Sequence, residues 1–411
     1  MKKEILIEKY DEIALNVSDG KINSYREKEE TKNTVRVYEN GSIGVAGALG
    51  EVDLAELEKQ AAEKLGDGIP YVCNLSKGVK REVMRRPATD KSAVLRTGKR
   101  VALKAAKVCP RFLITGKIKY TESSGKYMNS ENTELAYSNS GFSVSFVIKD
   151  RDSSNIMDAA YGSMVGRYGK SVEDKIVEDM KVLHENYFAE KVKLPDGEYP
   201  VILESYDILG HLLQSLVAEV YVSGGSILSG KLGEKVFSDK LSFYVDRNPS
   251  TNHSDGFYDS EGEFATDYRP VLIKDGVLKN VFDSKNTAAM FNLPLSKTAH
   301  SAYDGVPSIG IPGIIVKSTA PDLKTLLGDQ EAIYISISSG GDMTTEGVVG
   351  MPVMLAFLVK GGKIVGRVSE FNASGNIFDI LGKNFIGVSK ENLFKASESE
   401  MLVTKMNIYN N

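Results

Sequence analysis

Four histidines and two cysteines limit the metal and nucleophile chemistry open to this chain, so each can be taken in turn. His184-Glu185 begins like a zinc-peptidase helix, in which two histidines a turn apart hold the metal and a glutamate between them activates water. The positions four and five residues further on are Phe188 and Ala189, and neither can bind a metal. His211 lies beside an apolar helical face, with Glu204 seven residues earlier, and reads as a structural histidine. His300 has no acidic neighbour before Asp304. His253 has the richest surroundings, in Thr251-Asn-His-Ser-Asp-Gly-Phe-Tyr-Asp-Ser-Glu-Gly262, where Asp255, Asp259 and Glu261 are possible oxygen ligands. The spacing of a calcium loop is not met, so a turn-rich loop is the preferred reading. A metal site of the chain's own through His253, Asp255 and Asp259 is the alternative.

No GxSxG elbow is present for a serine nucleophile. Cys73 and Cys109 have no histidine nearby in sequence and read as buried hydrophobes. Two cysteines cannot frame a disulfide scaffold or a cysteine-based zinc site. Gly225-Ser-Ile-Leu-Ser-Gly-Lys231 has phosphate-loop spacing, but Leu232 replaces the hydroxyl that would hold magnesium, and the loop follows a helix. It reads as a Gly-rich connector. Ser338-Ser-Gly-Gly-Asp-Met-Thr-Thr-Glu-Gly347 either lines a cleft or simply joins two strands. The candidate substrate-cleft residues are therefore His253, Asp255, Thr344, Thr345 and Glu346, with no catalytic set and no metal ligands assigned.

These residues have to be positioned by an α+β chain of two domains, 1–193 and 194–411, parted at the turn Leu194-Pro-Asp-Gly197. Strands are expected at Ile13–Val17, Lys21–Arg26, Thr34–Tyr38 and Ser42–Ala48, with turns at Ser18-Asp-Gly20 and Glu39-Asn-Gly41. Asp53 caps a helix bearing Leu54, Leu57, Ala61 and Leu65 on one face, and another helix runs from near Asp90 to Pro110. Strands follow at Phe112–Tyr120, Thr133–Tyr137, Phe142–Lys149 and Ile156–Gly162, then a long helix opened by Ser171. The first domain is thus an antiparallel sheet with packed helices. In the second, the strand Tyr199–Leu203 leads into a helix from Asp207, where Leu209, Leu212, Leu213, Leu216, Val217 and Val220 form one apolar face. Glycine-parted strand runs then predict a barrel-like or sandwich domain around that buried helix.

A net charge of −4 argues against a dedicated nucleic-acid binder. Residues 77–111 do hold twelve basic residues against Glu82 and Asp90. Arg96, Arg100, Lys104 and Lys107 line one side of a helix spanning 91–107, but no aromatics are interleaved to stack on bases. A solvated helix face is preferred; a DNA-associated regulator using that helix is the rival. The first ten residues form no apolar signal, and the run Val348–Val359 is broken by Gly350 and Pro352 and too short for a bilayer. A cytoplasmic protein without membrane contact is expected.

The order of several blocks resembles the TldD/PmbA family, long labelled modulators of DNA gyrase, and specifically its TldE (PmbA) branch. The carrying residues are Ser226-Ile-Leu-Ser-Gly-Lys-Leu-Gly-Glu-Lys-Val-Phe-Ser238, Asp255-Gly-Phe-Tyr-Asp-Ser-Glu-Gly262, Arg269 to Lys279, and Ala373-Ser-Gly-Asn-Ile-Phe-Asp-Ile-Leu381. In the first half, Asn16–Ser24 and Val35–Ala46 are similar to the family's opening meander. The resemblance implies a cytoplasmic metalloprotease acting on peptides or unfolded chains. In it a TldD-type subunit brings HExxxH and a cysteine ligand, and a TldE-type subunit pairs with it. Aligned without gaps on Gly230-Lys-Leu-Gly233, the two histidine positions fall on Leu209 and Gln214 and the glutamate on Gly210. Both cysteines lie before residue 110, far from the family's cysteine ligand. The resemblance therefore implies a zinc-free chain, with zinc in a TldD-like partner of a heterodimer, or self-association.

Overall fold

A computed structural model describes residues 1–410. The strands β1 (Lys2–Ser18), β2 (Lys21–Glu39) and β3 (Ser42–Leu49) form an antiparallel meander. Asp19-Gly20 and Asn40-Gly41 supply its turns, all four residues at positive φ as two-residue hairpin loops require. The expected strands 21–26 and 34–38 are one strand, because Glu27 to Asn33 pair residue by residue with β1. Backbone pairing needs no apolar sequence when neither face of the strand is buried there. The Asp53 carboxylate accepts from the Ala55 N–H and caps α1 (Leu54–Glu63), which lays Leu57 and Ala61 on Val35 and Val37.

Beyond it come β4 (Lys80–Met84), α2 (Val94–Val108), β5 (Phe112–Asn129), β6 (Glu134–Asp150), β7 (Ala159–Val165) and α3 (Lys170–Tyr187). The sheet order is β3-β2-β1-β5-β6-β4, with β7 on β6 as a second partner. The expected strands 133–137 and 142–149 merge in β6; Ile156, expected in a strand, sits fully out in the loop before β7. Gly169, not Ser171, occupies the cap position of α3.

The basic helix has an internal explanation. Arg100 Nε and Lys104 Nζ lie 2.6 and 2.5 Å from the Glu173 carboxylate on α3, and the Tyr168 hydroxyl donates to it at 3.0 Å. Glu173 is 2% exposed, so these cations satisfy a buried charge.

The second half runs β8 (Lys191–Val192), β9 (Gly197–Glu204), α4 (Ser205–Leu213), a 3-10 turn at Gln214–Leu216 and α5 (Ala218–Val222). The single helix expected through Val220 is therefore broken. Val217 is extended, and the segment bonds to the strand-like stretch at Phe282: Ala218 N–H donates to Phe282 O and Phe282 N–H to Leu216 O. Then follow β10 (Phe243–Val245), β11 (Val271–Lys274), β12 (Val277–Leu278), α6 (Lys285–Phe291), β13 (Ala299–His300), β14 (Ser308–Ile309) and β15 (Ile314–Val316). The last elements are α7 (Leu323–Leu327), β16 (Ala332–Ser338), β17 (Asp342–Met343), β18 (Val348–Lys360), β19 (Lys363–Val368), β20 (Phe371–Asn376), α8 (Ile377–Ile380), β21 (Phe385–Ser389) and β22 (Met401–Asn410). Strands β16-β9-β22-β20-β18 close into a five-stranded barrel through the β16–β18 pairing. A separate sheet has the order β12-β11-β10-β15.

Ile208, Leu209 and Leu212 of α4 are fully buried between this small sheet and the barrel, each worth about 1.5–3 kcal/mol by burial. A second cluster crosses between the halves, joining Phe112, Phe146 and Tyr161 to Tyr334, Phe357 and Val403. A buried polar clamp adds to it. Arg36, wholly inaccessible, donates to Ser260 O and to Ser301 Oγ, both at 2.6 Å, and to Glu4 at 3.3 Å. The hydroxyls of Tyr38 and Tyr127 also donate to Glu4, each at 2.8 Å. Among the described residues no helix is long and apolar enough to cross a membrane.

Candidate functional site

His253 is held rather than free. Arg85 Nη1 donates to its Nδ1 at 2.9 Å, so the ring proton belongs on Nε2, which donates to Glu398 at 2.8 Å. Gly166 makes room for the ring: a Cβ there would lie 2.3 Å from it. The three partners come from the chain after β4, the loop before β11 and the loop before β22.

This junction forms part of a cleft of about 790 Å³ between the two halves. Ala160 to Met164 of the edge strand β7 line it, as do Ile314 and Ile315 of the edge strand β15. Its carboxylates are Glu204, Asp207, Asp246, Asp255, Glu398 and Glu400. Asp207 is an exposed residue at the cleft; its carboxyl is pushed up to about 6 by desolvation from the protein around it and then by Glu204. Glu400 is pushed up to about 7 by burial, with Asp246 adding to the rise and Arg269 opposing it. Burial also raises Asp246, although Thr251 Oγ1 donates to it at 2.9 Å.

Of the sequence candidates, His253 and Asp255 line this cleft. Thr344, Thr345 and Glu346 stand together elsewhere, at the exposed connection between β17 and β18, where Thr345 donates to Glu346 at 3.0 Å. That same hairpin packs on His211: a Cβ at Gly341 would lie 3.7 Å from its ring. Asp259 does not converge with His253 and Asp255. It is buried and accepts from the N–H groups of Glu261, Glu263 and Ala299, which makes it the organiser of its own turn. Asp207, Asp246, Glu398 and Glu400 were not singled out by sequence; the only hint was an acid at the start of an apolar helix. His184 is a packing residue, its ring edge-on to Phe112 and its basicity lowered by burial and by Arg111. Cys109 is buried, its thiol pushed up to about 12 by burial alone.

Leu209, at one histidine position implied by the resemblance, faces the core, whereas Gln214, at the other, is exposed in the 3-10 turn. Gly210 between them has no side chain. These residues do not fit a zinc ion, and among the described residues no three His, Cys, Asp or Glu side chains are grouped to hold one.

Comparison with known proteins agrees with this fold. Residues 196–410 match the PmbA/TldA metallopeptidase C-terminal domain. A metalloprotease of Methanothermobacter thermautotrophicus is 26% identical over 403 residues, covering 91% of this chain and 85% of its own. One from Archaeoglobus fulgidus is 24% identical, covering 93% and 91%. The crystal structure of TldE from Thermococcus kodakarensis superposes with a TM-score of 0.79 at 17% identity, covering 100% of this chain and 97% of that one. A Thermotoga maritima structure bearing the name of a DNA gyrase modulator gives 0.75 at 17%, covering 99% and 96%. With more than half its length matched by the family domain and its whole fold shared with TldE, the chain belongs to the TldD/PmbA family.

Proposed function

We infer that this protein is a zinc-free, TldE-like subunit of a cytoplasmic TldD/TldE-type protease that cleaves peptides or unfolded polypeptides. The observation that carries this reading is the stretch from α4 into the following 3-10 turn, where Leu209, Gly210 and Gln214 stand at the positions to which the resemblance assigns the two histidines and the glutamate of a zinc-bearing chain. The partner would be a TldD-like chain carrying HExxxH, and this subunit would close one side of the chamber. Two edge strands, β7 and β15, line its interdomain cleft, which suits an extended substrate backbone.

The test is to purify the chain alone and together with an HExxxH-bearing relative. Expected are zinc and peptidase activity in the mixed complex, with the zinc on the other polypeptide. Zinc-dependent cleavage of an unfolded peptide by the isolated chain would overturn the reading. The DNA-regulator rival receives no support from the basic helix, since Arg100 and Lys104 serve Glu173.

A further inference from the structure

The cleft continues past β15 into a second cavity of about 1050 Å³, with Ile315, Thr251, Ser397, Glu398 and Glu400 lining both. The two parts differ in charge. The first is acid-rich with no lysine or arginine on its lining, whereas the second carries Lys175, Arg269, Lys317, Lys390 and Lys395 together with Asp267, Glu391, Glu398 and Glu400. None of those four lysines has a carboxylate in ion-pair range among the described residues. On the acidic side Glu398 pairs with His253, while Glu204 and Asp246 accept only from neutral groups, among them the hydroxyls of Ser399 and Thr251. The first part thus holds carboxylates with no lysine or arginine on its own lining, and the second holds lysines without ion pairs, so both offer charge to whatever enters the groove.

Between the two charged ends runs β15. Lys317 N–H donates to Ser242 O, and Asp246 N–H donates to Gly313 O. In an antiparallel pair the bonded residues alternate, so Gly313, Ile315 and Lys317 face β10, while the N–H and C=O groups of Ile314 and Val316 face away from it. β15 has no second strand neighbour among the described residues.

We propose that this groove takes an extended polypeptide as an added strand along β15 and selects by charge, seating a lysine or arginine side chain among Asp207, Asp246 and Glu400. Acidic residues of the same peptide would lie toward Lys317 and Lys390. The proposal deepens the docking role given above, supplying charge preference where backbone pairing alone supplies none. The carboxylates favour it in a second way: the neighbouring charges, Glu204 beside Asp207 and Asp246 beside Glu400, disfavour ionisation, and a bound cation relieves that penalty.

The test uses the isolated full-length chain and three fluorescent, unstructured peptides of about ten residues, read by anisotropy. One carries two lysines in its first half and two glutamates in its second; one has all four charges replaced by serine; one is all-acidic. The expected order is mixed-charge first, by about tenfold over the serine peptide at about 50 mM salt, with the gap closing at about 500 mM. Alternate N-methylation of the mixed peptide should abolish binding, which reads the backbone bonds without altering the protein. The Asp207→Asn, Glu400→Gln double variant, checked to be no less heat-stable than the parent, should lose the preference for lysine and keep serine-peptide affinity. Equal binding of all three peptides would overturn charge selection and leave the docking role standing. No binding of any peptide would overturn the groove itself; the docking role would then be judged by whether this chain is needed for cleavage in the mixed complex.

Discussion

Arg36→Met tests how the two halves are held together. The substitution keeps most of the side-chain stem while removing the guanidinium, which lies at 0% exposure against Glu4 at 1%. It strips Ser260 O and Ser301 Oγ of short donors and leaves Glu4 buried with two tyrosine hydroxyls but no cation. Removing one partner of a buried ion pair typically costs about 3–5 kcal/mol, because the remaining charge stays desolvated. With an unfolding entropy of about 2.1 cal/mol/K per residue, a chain this long loses about 0.9 kcal/mol per kelvin near its midpoint. The expected fall in Tm is therefore about 3–6 °C, read by calorimetry on the variant and the parent. The companion is the Glu4→Gln, Arg36→Met double variant, in which no charge is left stranded. It should be less destabilised than the sum of the single variants by at least about 1 kcal/mol. A single-variant loss below about 1 kcal/mol, or strict additivity in the double, would refute the clamp.

Glu400→Gln should stabilise the protein at pH 8 by about 1–2 kcal/mol, after allowance for solvent, and leave it nearly unchanged at pH 5. The sign follows from a carboxyl held up to about 7 when folded: its favourable contribution is present below the unfolded value and lost as pH rises through 7. Urea titrations at the two pH values measure this; a loss of stability at pH 8 would contradict it. Glu173→Gln, which removes the charge-assisted hydrogen bonds from the exposed Arg100 and Lys104, should cost about 1–2 kcal/mol in the same assay. An Arg96→Gln, Lys99→Gln variant of the same helix, whose side chains are exposed, should stay within about 0.5 kcal/mol. Gly44→Ala should lower stability by about 3 kcal/mol or more, since a Cβ there would sit 2.0 Å from the Ala61 carbonyl oxygen and force α1 off the sheet.

Sequence reasoning reached the opening hairpins because Asp19-Gly20 and Asn40-Gly41 need backbone conformations few residue pairs adopt. It reached α1 through Asp53, and the barrel strands β16 and β18 through their Gly-parted apolar runs, but not β20 or β22. It failed where partners outweigh local pattern. The charged stretch Glu27–Asn33 is strand because β1 pairs with it, and the apolar helix breaks at Val217 because Phe282 claims its neighbours' backbone groups. Ser171 had the spacing of a cap, but the chain enters the helix two residues earlier, at Gly169. The candidate site was half legible. His253 and Asp255 stood out by composition, whereas Asp207 and Glu400 meet only through folding and have no shared spacing to betray them.

Barrel closure carries a consequence for biosynthesis. Strand β22 fills the gap between β9 and β20, yet it is translated some two hundred residues after β9. At about 5–20 residues per second the ribosome leaves β9 waiting about 10–40 s for that neighbour. Throughout this interval the nascent ring is a horseshoe with an unzipped seam, vulnerable to adding a strand from another chain in place of its own. Translation arrested before residue 401 should yield species that proteases and holdase chaperones recognise, while the completed polypeptide escapes both.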